Sequence, residues 1–136
     1  MLHLTSKTLY GLPAVLDLAR QHGGGLVQAR AIAERRHMPL KYLEQIFGAL
    51  VKAGVVRSVR GVGGGYELAR PATQLTAWEV VEALEGGAGQ LPKLAGAGVL
   101  RELLWEAERQ LARVFNVTLA DLAEREDSAG GAMYHI

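Results

Sequence analysis

The chain has 136 residues, 49% of them hydrophobic, a net charge of +1 and no cysteine. That length and composition suit one compact domain with a real core and exclude a disordered chain. The lack of cysteine excludes disulfides, thiol catalysis and thiolate metal sites, and no apolar run approaches the roughly 20 residues that cross a bilayer.

The near-neutral total hides an asymmetry. Residues 1–70 carry ten Lys/Arg against four Asp/Glu, and residues 71–136 carry five against ten. A basic first half points to a polyanion partner, and an acidic second half points to a different task. The start, Met1-Leu2-His3-Leu4-Thr5, does not read as a signal peptide, so a cytoplasmic protein with no membrane partner is expected. His3, His22, His37 and His135 fall at no metal-ligand spacing, so no metal is expected.

The first helix is expected to start near Thr5 or Ser6, both good N-caps, with Leu9, Leu12, Val15, Leu16 and Ala19 on its buried face. Gly23-Gly24-Gly25 should end it. Pro13 predicts a kink, or a helix that effectively begins later. A short second helix, Ala29–Arg36, turns Ala29, Ile32 and Ala33 inward. After the His37-Met38 turn, Pro39 suits the first position of a third helix. There Leu43, Ile46, Phe47, Leu50 and Val51 recur at helical spacing, and Gly54 stands where a left-handed cap belongs.

Two short extended runs follow, residues 55–60 and 66–70, separated by Gly61-Val62-Gly63-Gly64-Gly65 and closed by Pro71. Thr76-Ala77-Trp78-Glu79 is a capping box opening a fourth helix that Gly86-Gly87 stops. Residues 86–98 read as a flexible connector. A long amphipathic helix over 99–115 carries the stripe Leu100, Leu103, Leu104, Ala107, Leu111 and Val114. Thr118 then caps a short helix over 119–125, and the last ten residues should fray.

Helix, helix, turn, helix, hairpin is the order of a winged helix-turn-helix domain. The fold class is therefore mainly α with a small β-hairpin wing, plus a long dimerisation helix. The divisions are 1–85 for DNA binding, 86–98 for the connector, 99–126 for dimerisation and closing helix, and 127–136 for a tail.

The major groove of B-DNA admits one α-helix, so such a helix must bury one stripe and expose a polar face. The third helix exposes Lys41, Tyr42, Glu44, Gln45 and Lys52. Gln can pair with adenine and Glu can accept from cytosine, while Lys and Tyr can hold phosphates. A solvated face is the competing reading. The hairpin shifts the balance, because Arg57, Ser58 and Arg60 precede a loop of four glycines that lets backbone amides approach phosphate. A nucleotide-binding glycine loop needs a following helix, but Tyr66 and a strand follow here. No nucleophile with an activating context is found, so an enzyme is not expected. The long helix pairs either with a second chain or with its own domain.

Several segments together resemble a known family. They are Ile32-Ala33-Glu34-Arg35, Tyr42-Leu43-Glu44-Gln45, residues 50–56 (Leu-Val-Lys-Ala-Gly-Val-Val) and the wing from Ser58 to Tyr66. They resemble the bacterial repressors that include IscR, NsrR and CymR, the Rrf-two family, over residues 4–126. Leu104-Trp105 and Thr118-Leu119-Ala120-Asp121-Leu122 look like that family's dimerisation helix and closing segment. The resemblance implies a homodimer on double-stranded DNA carrying a pseudo-palindromic operator. It places Tyr42, Glu44 and Gln45 on the recognition helix and Arg60 in the wing, with Ser6, Lys7 and Gln28 on phosphates. Lys41, Arg57, Ser58, Gly63 and Gly64 complete the expected DNA-binding set.

Many family members hold an iron–sulfur cluster on three cysteines in the connector and the start of the long helix. Here Val99 and Glu102 stand at two of the expected positions, so no cluster and no cofactor are expected. The signal would then be a small-molecule effector, a partner protein or nothing at all. The alternative function is a protein-interaction module that heterodimerises with another regulator.

Overall fold

The computed structural model describes residues 4–20, 25–86 and 98–134. Among them are six α-helices and one hairpin: α1 (Ser6–Ala19), α2 (Ala29–Arg36), α3 (Leu40–Lys52), β1 (Val56–Val59), β2 (Gly65–Leu68), α4 (Ala77–Glu85), α5 (Val99–Val114) and α6 (Leu119–Tyr134). A 3-10 turn, Ala72–Gln74, joins the hairpin to α4. Most of the expected connector, Gly23 and Gly24 lie outside the described residues.

The core forms where α1, α2, α3 and α4 meet. Val15, Ile32, Leu43, Ile46, Phe47, Leu50, Leu75 and Val80 are fully buried there. Spacings of three and four along α3 put its four buried residues on one face. The helix ends in a Schellman turn: Gly54 N–H donates to Val51 O and Val55 N–H to Leu50 O, with Gly54 at φ 78. Pro39 is the N-cap, one position earlier than the sequence suggests, and α3 begins at Leu40. Val51, expected in the stripe, is exposed at its edge.

The first helix departs further from expectation. It runs from Ser6 with Pro13 inside it, not from a later start. Val15, Leu16 and Ala19 are buried as expected and Leu12 is half-buried, with Thr8, Gly11, Ala14 and Leu18 buried beside them, while Leu9 is exposed. A Cβ on Gly11 would stand 2.4 Å from Leu84 Cδ1, so the glycine lets α4 pack close at this turn. Thr5 is the N-cap residue, yet its side chain does not cap. Glu85, at the end of α4, accepts instead from Thr5 N–H, Thr5 Oγ1 and Thr8 Oγ1 at 2.6–2.8 Å. A carboxylate at a helix N-terminus also meets the positive end of the helix dipole.

The Thr76–Glu79 capping box forms as expected, and Gly86 closes α4 in the left-handed region. Thr118 Oγ1 accepts from Asp121 N–H and opens α6. That helix continues to Tyr134, well past the expected end at residue 125. Arg20, the C-cap of α1, pairs with Glu126 and Asp127 on this extension. Leu119 and Ala123 enter the same core as α1. No helix among the described residues is long and apolar enough to cross a membrane.

Candidate nucleic-acid interface

Burying Leu43, Ile46, Phe47 and Leu50 forces the opposite side of α3 outward. Lys41, Glu44, Gln45 and Lys52 are exposed there. Tyr42 sits at the margin, half-buried. Its ring meets Tyr10 edge-on at 5.7 Å, and its hydroxyl shares a 2.8 Å hydrogen bond with Ser6 Oγ. The start of α1, with exposed Lys7 beside Ser6, therefore lies next to the start of α3.

The hairpin pairs Arg57 with Glu67 and Ser58 with Tyr66, antiparallel. It is docked on the helices through three contacts. Val27 and Tyr66 exchange backbone hydrogen bonds of 2.9 and 2.8 Å. The Tyr66 ring packs on Phe47 with centroids 4.5 Å apart. Gln28 Nε2 donates to Gly64 O at 3.1 Å. At the tip, Gly61 and Gly63 have φ of 101 and 77. Gly64 needs glycine for a different reason, since a Cβ would lie 2.3 Å from Val59 O.

A groove of about 330 Å³ lies between the helices and the wing. Gln28, Arg30, Glu44, Ser58 and Gly64 line it. Four of these five are residues singled out in the sequence. Arg30 was missed, although its place two residues after Gln28, outward on the first turn of α2, is a readable signal. Arg60 and Gly63 are exposed at the outer end of the wing, and Arg60 makes no ion pair among the described residues.

Arg57 is not in this group. Successive strand residues point to opposite sides, so Ser58 faces the groove and Arg57 faces away. Its guanidinium holds Glu67 at 2.7 Å and lines a separate cleft with α1 and α6.

An exposed polar helix beside a glycine-tipped, arginine-bearing hairpin defines a winged-helix, DNA-binding transcription regulator. Residues 4–125 match the family model Rrf2, described as an iron-dependent transcriptional regulator. The chain belongs to the Rrf2 family of transcriptional regulators, and these are not enzymes.

Relatives agree along nearly the whole length. The chain is 38% identical over 136 residues to the HTH-type transcriptional regulator IscR of Cereibacter sphaeroides, covering 90% of this chain and 88% of that protein. With IscR of Serratia proteamaculans the identity is 37% over 134 residues, covering 93% and 82%. Among solved structures, CymR, the global cysteine regulator of B. subtilis, superposes with a TM-score of 0.75 at 33% identity over 92% of this chain and 98% of that one. IscR of T. potens gives 0.76 at 35% identity over 94% and 90%.

The family description names iron, and the residues here do not fit an iron–sulfur cluster. Such clusters are held mainly by thiolates, and this sequence has none. Val99 and Glu102 lie in the exposed first turn of α5, and among the described residues no group of three or more His, Asp or Glu could hold a metal ion.

Proposed function

We propose that this regulator is a cytoplasmic repressor that binds a pseudo-palindromic operator as a homodimer and carries no iron–sulfur cluster. The observation that carries DNA binding is the groove joining Gln28 and Glu44 of the helices to Ser58 and Gly64 of the wing. In this reading Glu44 and Gln45 read base edges, with Lys41 and Tyr42 beside them. Ser6, Lys7, Gln28, Ser58 and Gly63 contact phosphates and Arg60 reaches the minor groove, while Gly64, buried with its N–H donated to Gly61 O, shapes the wing tip and makes no phosphate contact itself. Arg57 contributes only if its pair with Glu67 opens.

The dimer reading rests on α5. Leu100, Leu103 and Val114 are 64%, 63% and 70% exposed, and Leu104, Ala107 and Leu111 are half-buried along the same stripe. Leaving that stripe in water costs about 25 cal/mol per Å² of apolar surface, which a second copy of α5 removes. A two-fold dimer then matches a two-fold operator. With the cluster ligands absent, the signal falls to a small-molecule or protein effector.

Selection of bound sequences from random duplex DNA, with the mass of the species in solution, tests this. An enriched inverted repeat bound by a dimer is expected. A folded chain that enriches nothing and pairs only with another regulator overturns it in favour of a heterodimerising interaction module.

A further inference from the structure

The seam between α4 and α5 holds a further pocket that shares no lining residue with the groove. It has a volume of about 300 Å³ and is lined by Trp78 and Glu82 of α4 and by Trp105, Glu108, Arg109 and Ala112 of α5. These are the only two tryptophans in the chain.

Glu108 is the anomaly. It is 7% exposed, and both carboxylate oxygens are covered without a hydrogen-bond partner. Burying an unpaired carboxylate is costly, and native structures nearly always supply such a group with a partner. The neighbouring cation does not serve, because Arg109 is engaged by Glu106. Glu82 adds a second carboxylate at the same pocket and makes no ion pair among the described residues. The indoles complete the chemistry: Trp is the best ring for holding a cation over its face. One face of Trp105 already does so, with the Arg101 guanidinium 5.5 Å from the ring centre.

We propose that this pocket binds a small organic cation, an alkylammonium or guanidinium compound, between Trp78 and Trp105 with its charge on Glu108 and Glu82. The half-exposed Trp105 forms the outer wall, and the cation reaches the Glu108 oxygens by displacing its ring edge. A metal ion suits the walls poorly, since hard cations take six or more oxygens and this pocket offers two carboxylates beside two indoles. The proposal rests on the effector-responsive reading for its consequence: the site spans the joint between the DNA-binding helices and the dimerisation helix. A ligand there changes operator affinity only by binding one arrangement of that joint better than another.

Because both tryptophans line the pocket, intrinsic fluorescence of the intact protein reports its occupancy directly. Tetramethylammonium and agmatine are titrated separately, against sodium chloride at matched ionic strength. A saturable emission change is expected in the wild type, with apparent affinity weakened about tenfold or more in Glu108→Gln, as loss of a desolvated charge partner implies. Glu82→Gln should shift it the same way, which keeps the test valid if the first variant folds poorly. No saturable change with either cation overturns the proposal. So does emission that follows protein concentration instead of cation, with a weaker Glu108→Gln dimer, since a basic side chain of a second copy then fills the pocket. Operator binding without cation should be unchanged in Glu108→Gln. Cation binding by a protein that selects no DNA leaves the site standing and removes the regulator reading.

Discussion

The side-chain amide of Gln28 reaches 36 residues along the chain to the carbonyl of Gly64, at 3.1 Å. This bond fixes the tip of the wing against the start of α2, so the wing is placed by the helices and not by its own two strands. A two-stranded hairpin alone is marginal in water. The anchor therefore decides whether the wing sits where a phosphate can meet it.

Substituting Gly64 by Ala tests that placement. The new Cβ would stand 2.3 Å from Val59 O and 2.9 Å from Gly61 O, both backbone atoms that cannot rotate away. The tip must shift, at a cost of about 1–3 kcal/mol. We expect operator affinity to fall about tenfold, roughly 1.4 kcal/mol, while a thermal melt still shows one cooperative transition. Undiminished affinity in a fluorescence anisotropy titration would show that the wing tip does not touch DNA.

Two arginines of the hairpin should behave differently. Arg60 is exposed with no ion pair among the described residues, and Arg57 is held by Glu67 on the opposite side from the groove. Arg60→Ala should weaken operator binding by about 1–3 kcal/mol and reduce the salt slope by about one counterion. Arg57→Ala should leave the slope unchanged. Equal effects from both substitutions would mean that the Arg57–Glu67 pair opens on DNA.

Much of this architecture was legible because local rules and tertiary structure agree. The α3 stripe, the Gly54 cap and the Thr76–Glu79 box are each set by residues within one or two turns. What escaped depends on partners distant in sequence. On the face of α1 only the place of Leu9 escaped, because the contact with Leu84 is made by Gly11, which a periodicity of apolar side chains does not mark. The cap of α1 comes from Glu85 across the fold, not from Thr5. The continuation of α6 past Arg125 carries Glu126, whose partner Arg20 lies more than a hundred residues away. In the site, strand alternation separates Arg57 from Ser58, but only the docking of Tyr66 on Phe47 reveals which side faces the groove.

The capping box carries a pH signature. Glu79 is pulled two ways: burial raises its pKa, but the Thr76 N–H and the Arg70 guanidinium outweigh that and leave it below the ordinary carboxylate range. A depressed carboxylate contributes stability that is complete above its unfolded pKa of about 4.3 and is lost as pH falls through the folded value. Glu79→Gln should therefore be less stable than wild type at neutral pH, and the gap should narrow as pH falls below about 4. Urea melts at pH 7 and pH 3.5 give the comparison. A gap of constant size would show that the loss comes from helix geometry and not from charge.

The last prediction concerns Asp17, which α1 buries where three cations converge. Arg36 donates to it at 2.7 and 3.0 Å, Arg35 lies at 3.2 Å and Arg20 at 3.4 Å. The Asp17 hydrogen bond holds the Arg36 guanidinium in its charged form against partial burial. Arg20 and Arg36 also meet Glu126 of α6. The cluster thus ties α1 and α2 of the DNA-binding unit to the C-terminal helix. Asp17→Asn keeps the shape and removes the charge, and should cost about 2–3 kcal/mol because the arginines lose their buried partner. Glu126→Gln, at an exposed position, should cost well under about 1 kcal/mol alone. Their effects should not add. Once Asp17 is neutral, Glu126 is the remaining carboxylate partner of Arg36 among the described residues and shares Arg20 with Asp127, so removing it then should cost more than in the wild type. A double-mutant cycle by chemical denaturation measures the coupling. Additivity within about 0.5 kcal/mol would mean that the two carboxylates act independently, and that α6 senses the helix-turn-helix only through Leu119 and Ala123 in the core.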